Sequence, residues 1–176
     1  MSSDDDFSRF LRCLSTAGQS IGSHYFQIAR ANAAERQYRE RVYCYELYHQ
    51  LRVCLTDSFP YKLQGELDKA GNPTFHEQKP DFVVHEPGSN DKNLVVMEVK
   101  PITVKMKGLR KDLDTLNHFL GSAQYHHAIM LVYGNQEGEI PNWIPQQIAA
   151  RGRGLILLFW HACPGQSPRS VQASPA

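Results

Sequence analysis

Residues 79–101 read KPDFVVHEPGSNDKNLVVMEVKP. Two short apolar runs, FVVH and NLVVMEV, flank a middle of turn-forming residues, and the charges lie at the outer ends. Asp81 opens the first run; Glu98 and Lys100 close the second. β-Branched runs of this length favour strands, and EPGSND between them favours a turn. A hairpin centred between Ser89 and Asn90 puts Asp81 directly across from Glu98, so both point to one face. Lys100, two residues on, shares that face. A slip of one residue would scatter all three.

Two carboxylates a few ångströms apart repel, and one of them takes up a proton unless a cation intervenes. Mg²⁺ or Mn²⁺ relieves that repulsion, accepts carboxylate, carbonyl and water oxygens, and keeps several waters. The Val99 carbonyl lies in the same neighbourhood. An adjacent lysine can orient or deprotonate a water, or neutralise charge on a phosphate. Together these groups suit phosphodiester hydrolysis. The plainer alternative is a solvated strand rim with a modest salt bridge, in which Pro80 merely marks the strand start.

The elements that must position these residues follow from pattern. Residues 24–55 read as one long helix, or two in succession. Ala, Arg, Glu and Gln dominate 29–41, and Val42, Tyr43, Leu47, Leu51, Cys54 and Leu55 form an apolar stripe. YKLQGEL alternates as a half-buried strand before the turn DKAGNP. After the hairpin, Leu109, Leu113, Leu116 and Leu120 predict a helix capped at Gly121. HAIMLVYG and GLILLFWH are apolar strands on either side of a helix over 140–152. Short connections make the first three strands an antiparallel meander, and strands that each follow a helix suggest a parallel portion covered on both faces. The expected architecture is α/β, one mixed central β-sheet flanked by helices. Residues 1–20 are expected as a flexible lead-in, 21–162 as a single domain, and the Pro/Ser-rich 163–176 as a disordered tail.

Pro80-Asp81 followed by Glu98-Val99-Lys100 resembles the PD-(D/E)xK nuclease superfamily, the restriction-endonuclease-like group. The element order is similar to that family's αβββαβ core over roughly residues 40–135, with an additional helix and strand at the C-terminus. The resemblance implies a metal-dependent nuclease. Asp81, Glu98 and the Val99 carbonyl would hold Mg²⁺ (or Mn²⁺), and Lys100 would be the catalytic lysine. It also implies an active-site acid on the first core helix, for which Glu46 is the candidate; the alternative is a boundary carboxylate pairing with Arg39, Arg41, Arg52 or His49. Glu66 is a second candidate acid, or an exposed strand carboxylate. The implied substrate is DNA rather than RNA, in a defence, repair or recombination setting. A catalytically silent subunit that binds nucleic acid or joins a complex is the alternative.

Lys62, Lys105, Lys107, Arg110 and Lys111 are candidate phosphate contacts, although Asp112 and Asp114 dilute the cluster and a mixed-charge solvated face is the alternative. Tyr43, Tyr45 and Tyr48 are candidates for base stacking or for core and rim packing. The histidines form no zinc pattern, and no glycine-rich phosphate loop is present.

The chain has 176 residues, with a net charge of +1, 41% hydrophobic and 21% charged residues. That suits one domain with a real core and leaves any nucleic-acid surface local. No apolar run reaches the roughly 18 residues of a membrane helix, and the acidic N-terminus does not read as a signal peptide. The four cysteines show no CxxC spacing, so reduced thiols and a cytoplasmic location are expected. With no evident specificity domain, a homodimer or a partner protein is expected to supply it.

Overall fold

The computed structural model describes residues 3–65, 79–89, 91–134 and 138–172. In chain order the elements are α1 (Ser3–Gln19), α2 (Ser23–Phe26), β1 (Ile28–Arg30), β2 (Ala33–Gln37), α3 (Glu40–Cys54), β3 (Lys62–Gly65), β4 (Phe82–His85), β5 (Asn93–Pro101), α4 (Met106–Gly121), β6 (His127–Tyr133), α5 (Trp143–Gly152), β7 (Ile156–His161) and β8 (Arg169–Val171).

Strands β3 to β8 form one sheet in sequence order. β3, β4 and β5 are antiparallel, β5, β6 and β7 are parallel, and β8 returns antiparallel on β7. The sheet is therefore mixed, as the short early connections and the later helical crossovers predict. Alternation along β5 separates two cores. Val95, Met97 and Val99 face α1 and α3 with Phe10, Leu14, Tyr43, Leu47 and Leu51. Val96 faces the other side, where Leu109, Leu113, Leu116 and Phe119 of α4 meet Ile144 and Ile148 of α5. Glu98 and Lys100 share the parity of Val96, so period 2 turns them toward the α4 side.

Four expectations are corrected. Helix stops at Phe26 and resumes only at Glu40: between them β1 and β2 form a separate two-stranded hairpin turned at Asn32, whose φ is 60°. Ala, Arg and Glu favour helix only as a weak prior, and this segment has no apolar stripe to bury; β2 is almost wholly exposed. The hairpin's end is fastened by Tyr38, whose ring lies 2.7–2.8 Å from where a Cβ on Gly134 would stand; Gly134 also has φ 108°. Only glycine suits that position.

The first twenty residues are not a flexible lead-in. α1 has Asp4, Asp5 and Asp6 in its first turn, where the helix dipole favours them. Phe10, Leu14 and Ala17 fall at i, i+4 and i+7 and are buried against α3. That stripe is short enough to be lost among polar neighbours.

Within the described part of the tail, Arg169–Val171 is strand β8 rather than disordered chain. Arg169 pairs with Trp160 in the β7–β8 ladder, and its guanidinium lies 4.5 Å from the Trp160 ring centroid. Ser15 Oγ donates to Ser167 Oγ at 2.8 Å, tying this segment to α1. The thiols also differ from expectation: Cys13 of α1 and Cys54 of α3 form a disulfide, while Cys44 and Cys163 are free. No helix among the described residues is long and apolar enough to cross a membrane.

Candidate active site

The β4–β5 ladder pairs Phe82 with Met97, Val83 with Val96 and Val84 with Val95, and slips only beyond, where His85 meets Asn93. Continued one step outward, the register sets Asp81 across from Glu98, as the turn centre predicts. Asp81 Oδ2 accepts a hydrogen bond from the Val99 backbone N–H at 2.7 Å. The carboxylate thus takes the place of a ladder carbonyl at the point where β4 begins. N–H and C=O of a strand residue leave by the same edge, so the Val99 carbonyl also leaves β5 on the Asp81 side. Across from it in this register stands Pro80, which has no N–H to offer.

Glu98 is 3% exposed. Burial raises its carboxyl well above the usual range; the Asp81 and Asp112 charges add to this, Lys100 opposes it, and a protonated Glu98 donates to Asp81. Lys100 Nζ lies 3.0 Å from Glu40 Oε2 and 3.3 Å from Asp112 Oδ2. Burial disfavours its charge, but Asp81, Asp112, Glu40 and Glu98 outweigh burial and hold the ammonium above its ordinary pKa. Among these acids Lys100 is a positive charge and a hydrogen-bond donor. Asp112, buried on α4, is pushed up to about 6 by desolvation, against the pull of Lys100. Glu40, the first residue of α3, is raised by burial, with Lys100 opposing. One turn on, burial and the nearby acids raise the Cys44 thiol well above its ordinary value, so it is no activated nucleophile.

The structure gathers Asp81, Glu98 and Lys100 but changes the helix acid. Glu40 reaches the cluster; Glu46 does not. Six residues from Glu40 and two from Cys44, Glu46 points to another side of α3, where Gln50 Nε2 donates to it at 2.7 Å. Glu66 lies outside the described residues. Lys62 pairs with His85, at the opposite end of β3 from Gly65, which pairs with Phe82 beside Asp81. Lys62 is thus held away from the acids. Lys105 stands at the exposed N-cap of α4. Lys107, Arg110 and Lys111 line a surface groove of about 730 Å³ with Arg151 of α5. Asp114 does temper this patch, with an oxygen 3.1 Å from Arg151 Nη1, whereas Asp112 turns inward to Lys100.

Tyr43 is core, stacked on Tyr133 with ring centroids 3.9 Å apart. Tyr45 and Tyr48 instead line a cleft of about 430 Å³ together with Glu40 and Asp81. The two acids missed in the sequence each carry a signal. Asp112 interrupts the Leu109–Leu113–Leu116 stripe as a carboxylate within an apolar face, and Glu40 shares a helix face with Cys44 and Tyr48 at intervals of four.

The carboxylates of Asp81, Glu98 and Glu40 are hard oxygen donors of the class that Mg²⁺ and Mn²⁺ accept. Burial is the chief cause of the upward shift of Glu98, and the Asp81 and Asp112 charges add a repulsion that a cation would relieve. Among the described residues no group of three or more His, Cys, Asp or Glu side chains is placed to hold a metal ion. Asp81 and Glu98 alone would leave most positions around such an ion to water and the substrate.

No protein-family model matches the chain. No curated protein matches it either.

Proposed function

We propose that the chain is a Mg²⁺- or Mn²⁺-dependent nuclease that hydrolyses phosphodiester bonds, of DNA rather than RNA, within a restriction-endonuclease-like core. The observation that carries this reading is the meeting of Asp81, Glu98 and Lys100 at one end of the sheet. Asp81 and Glu98, with the Val99 carbonyl, would hold the ion. A bound divalent cation would polarise the phosphate and stabilise its developing negative charge. Lys100 keeps its proton, so its part is to donate to a phosphate oxygen or to a water, and to offset charge at the transition state. Asp112 and Glu40 hold the ammonium in position. The groove of Lys107, Arg110, Lys111 and Arg151 offers phosphate contacts that align the strand. The setting would be defence, repair or recombination, and a second copy or a partner would supply specificity.

The test is incubation of the purified chain with linear, circular and single-stranded DNA, and with RNA, with Mg²⁺, Mn²⁺ or EDTA. Metal-dependent cleavage of DNA is the expected result; no cleavage under any condition counts against the proposal.

A second reading is a silent nuclease-like subunit. The contacts of Lys100 with Glu40 and Asp112 favour it, since the cluster partly neutralises itself. Under that reading added Mg²⁺ or Mn²⁺ leaves the melting temperature unchanged, whereas an ion that binds only the folded chain raises it.

A further inference from the structure

We propose that the cleft between α3 and the start of β4 receives one unpaired nucleobase, making single-stranded or locally opened DNA the substrate. This rests on the nuclease reading and narrows it. Glu40 and Asp81 are among the residues that line the cleft, so a phosphate held at these acids would lie beside it. The walls are aromatic. Tyr48 stacks on Phe82 with planes 11° apart and centroids 6.3 Å apart, and its hydroxyl lies 3.5 Å from the Leu63 carbonyl. That wall is set before any ligand arrives. Tyr45, one position past Cys44, lines the same cleft and is 63% exposed, so its ring is accessible to a ligand there.

The floor is Gly65. A Cβ there would stand 3.5 Å from the Asp81 carbonyl, 3.7 Å from Tyr48 and 3.8 Å from Phe82. These are ordinary contacts, so a longer side chain would grow into the cleft without backbone strain. Arg41 also lines the cleft, adding positive charge beside the aromatic faces. A flat, polarisable, weakly polar group suits such walls. A base stacks on them regardless of its identity, and it enters only when free of its partner strand or flipped out of it.

The experiment measures binding of the full chain to a short fluorescein-labelled DNA strand and to the same strand in duplex. Fluorescence anisotropy is read in EDTA, where nothing is cut, for wild type, Tyr45→Ala and Gly65→Leu. The single strand is expected to bind about tenfold more tightly than the duplex. Each substitution is expected to weaken single-strand binding about tenfold, the worth of one stacked base, and to leave duplex binding unchanged. Equal affinity for strand and duplex, or variants that bind the strand like wild type, would overturn the proposal. The same strand with Mg²⁺ separates the two claims. Wild type that prefers the single strand but cuts nothing removes the nuclease reading and keeps the base site. Wild type that cuts, with variants binding unchanged, removes the base site and keeps the nuclease.

Discussion

The carboxylate of Asp81 and the backbone N–H of Val99 are joined by a 2.7 Å hydrogen bond across the mouth of the β4–β5 hairpin. One side chain thereby serves both the fold and the candidate chemistry. It satisfies a strand-edge donor, and it holds a carboxylate beside Glu98. Substitutions at Asp81 can separate the two roles. Asp81→Asn keeps an acceptor oxygen for Val99 but loses the charge. It is expected to cost no more than about 1–2 kcal/mol of stability, the difference between a charged and a neutral acceptor. It is also expected to lower cleavage at least 100-fold. Asp81→Ala should lose cleavage equally and cost more stability. Urea denaturation beside a cleavage time course reads both.

Lys100 is the cation that holds four acids together. Lys100→Met leaves Asp112 and Glu98 buried with no positive partner, a change that typically costs about 3–5 kcal/mol. Both acids already bind protons more readily than usual. Without Lys100 they take up protons at still higher pH, and protonation removes the repulsion. The loss in Lys100→Met is therefore expected to be large at pH 8 and much smaller at pH 5. Denaturant midpoints of wild type and variant at the two pH values check this.

Two buried groups tilt the pH dependence in opposite senses. Asp112 is pushed up to about 6 from an ordinary 3.8, chiefly by burial. Its contribution is present below the unfolded value and is lost as pH rises through about 6. His161 is lowered to about 4 from 6.5, again chiefly by burial, and its Nδ1 lies 2.6 Å from the Tyr43 hydroxyl. Its contribution is present above 6.5 and is lost as pH falls toward 4. Between pH 4 and 6 the two slopes oppose each other. Asp112→Asn removes the falling one, so stability should climb more steeply with pH than in wild type. His161→Gln removes the rising one and should flatten or reverse the climb. The slopes are compared, not the absolute stabilities, because either variant alters packing.

The Cys13–Cys54 bond closes a loop with a sequence separation of 41. Restricting the unfolded chain over that length is worth about 4 kcal/mol on the chain-entropy account. Reductant, or Cys13→Ser with Cys54→Ser, should lower the melting temperature by a comparable stability loss. Tyr45, on the far side of α3 from the core, should keep its contribution to DNA binding if α1 alone is loosened. Calorimetry with and without dithiothreitol measures the first effect.

The hairpin register was legible because the turn residues fix a centre, and counting outward from it sets Asp81 across from Glu98. α4 was legible because its leucines repeat at three and four with no competing pattern. The hairpin of β1 and β2 was not, because good helix formers without an apolar stripe leave the choice to tertiary contacts such as Tyr38 on Gly134. The helix acid was misplaced for a related reason. Glu46 borders the apolar stripe of α3, but the site is met by the helix's first turn, through Glu40, and that depends on how α3 crosses the sheet. Asp112 was read as part of a surface charge pattern, although its place among Leu109, Leu113 and Leu116 marked it as buried. The disulfide joins residues far apart in sequence, and spacing alone does not reveal such a pair.

The most direct measurement is the rate at which wild type, Asp81→Asn, Glu98→Gln and Lys100→Met cleave DNA at one fixed Mn²⁺ concentration. Circular dichroism should first show each variant folded. Wild type should cut only when the metal is present, and each variant should be slower by 100-fold or more. Folded variants that cut as fast as wild type, or a wild type equally active in EDTA, would contradict the account.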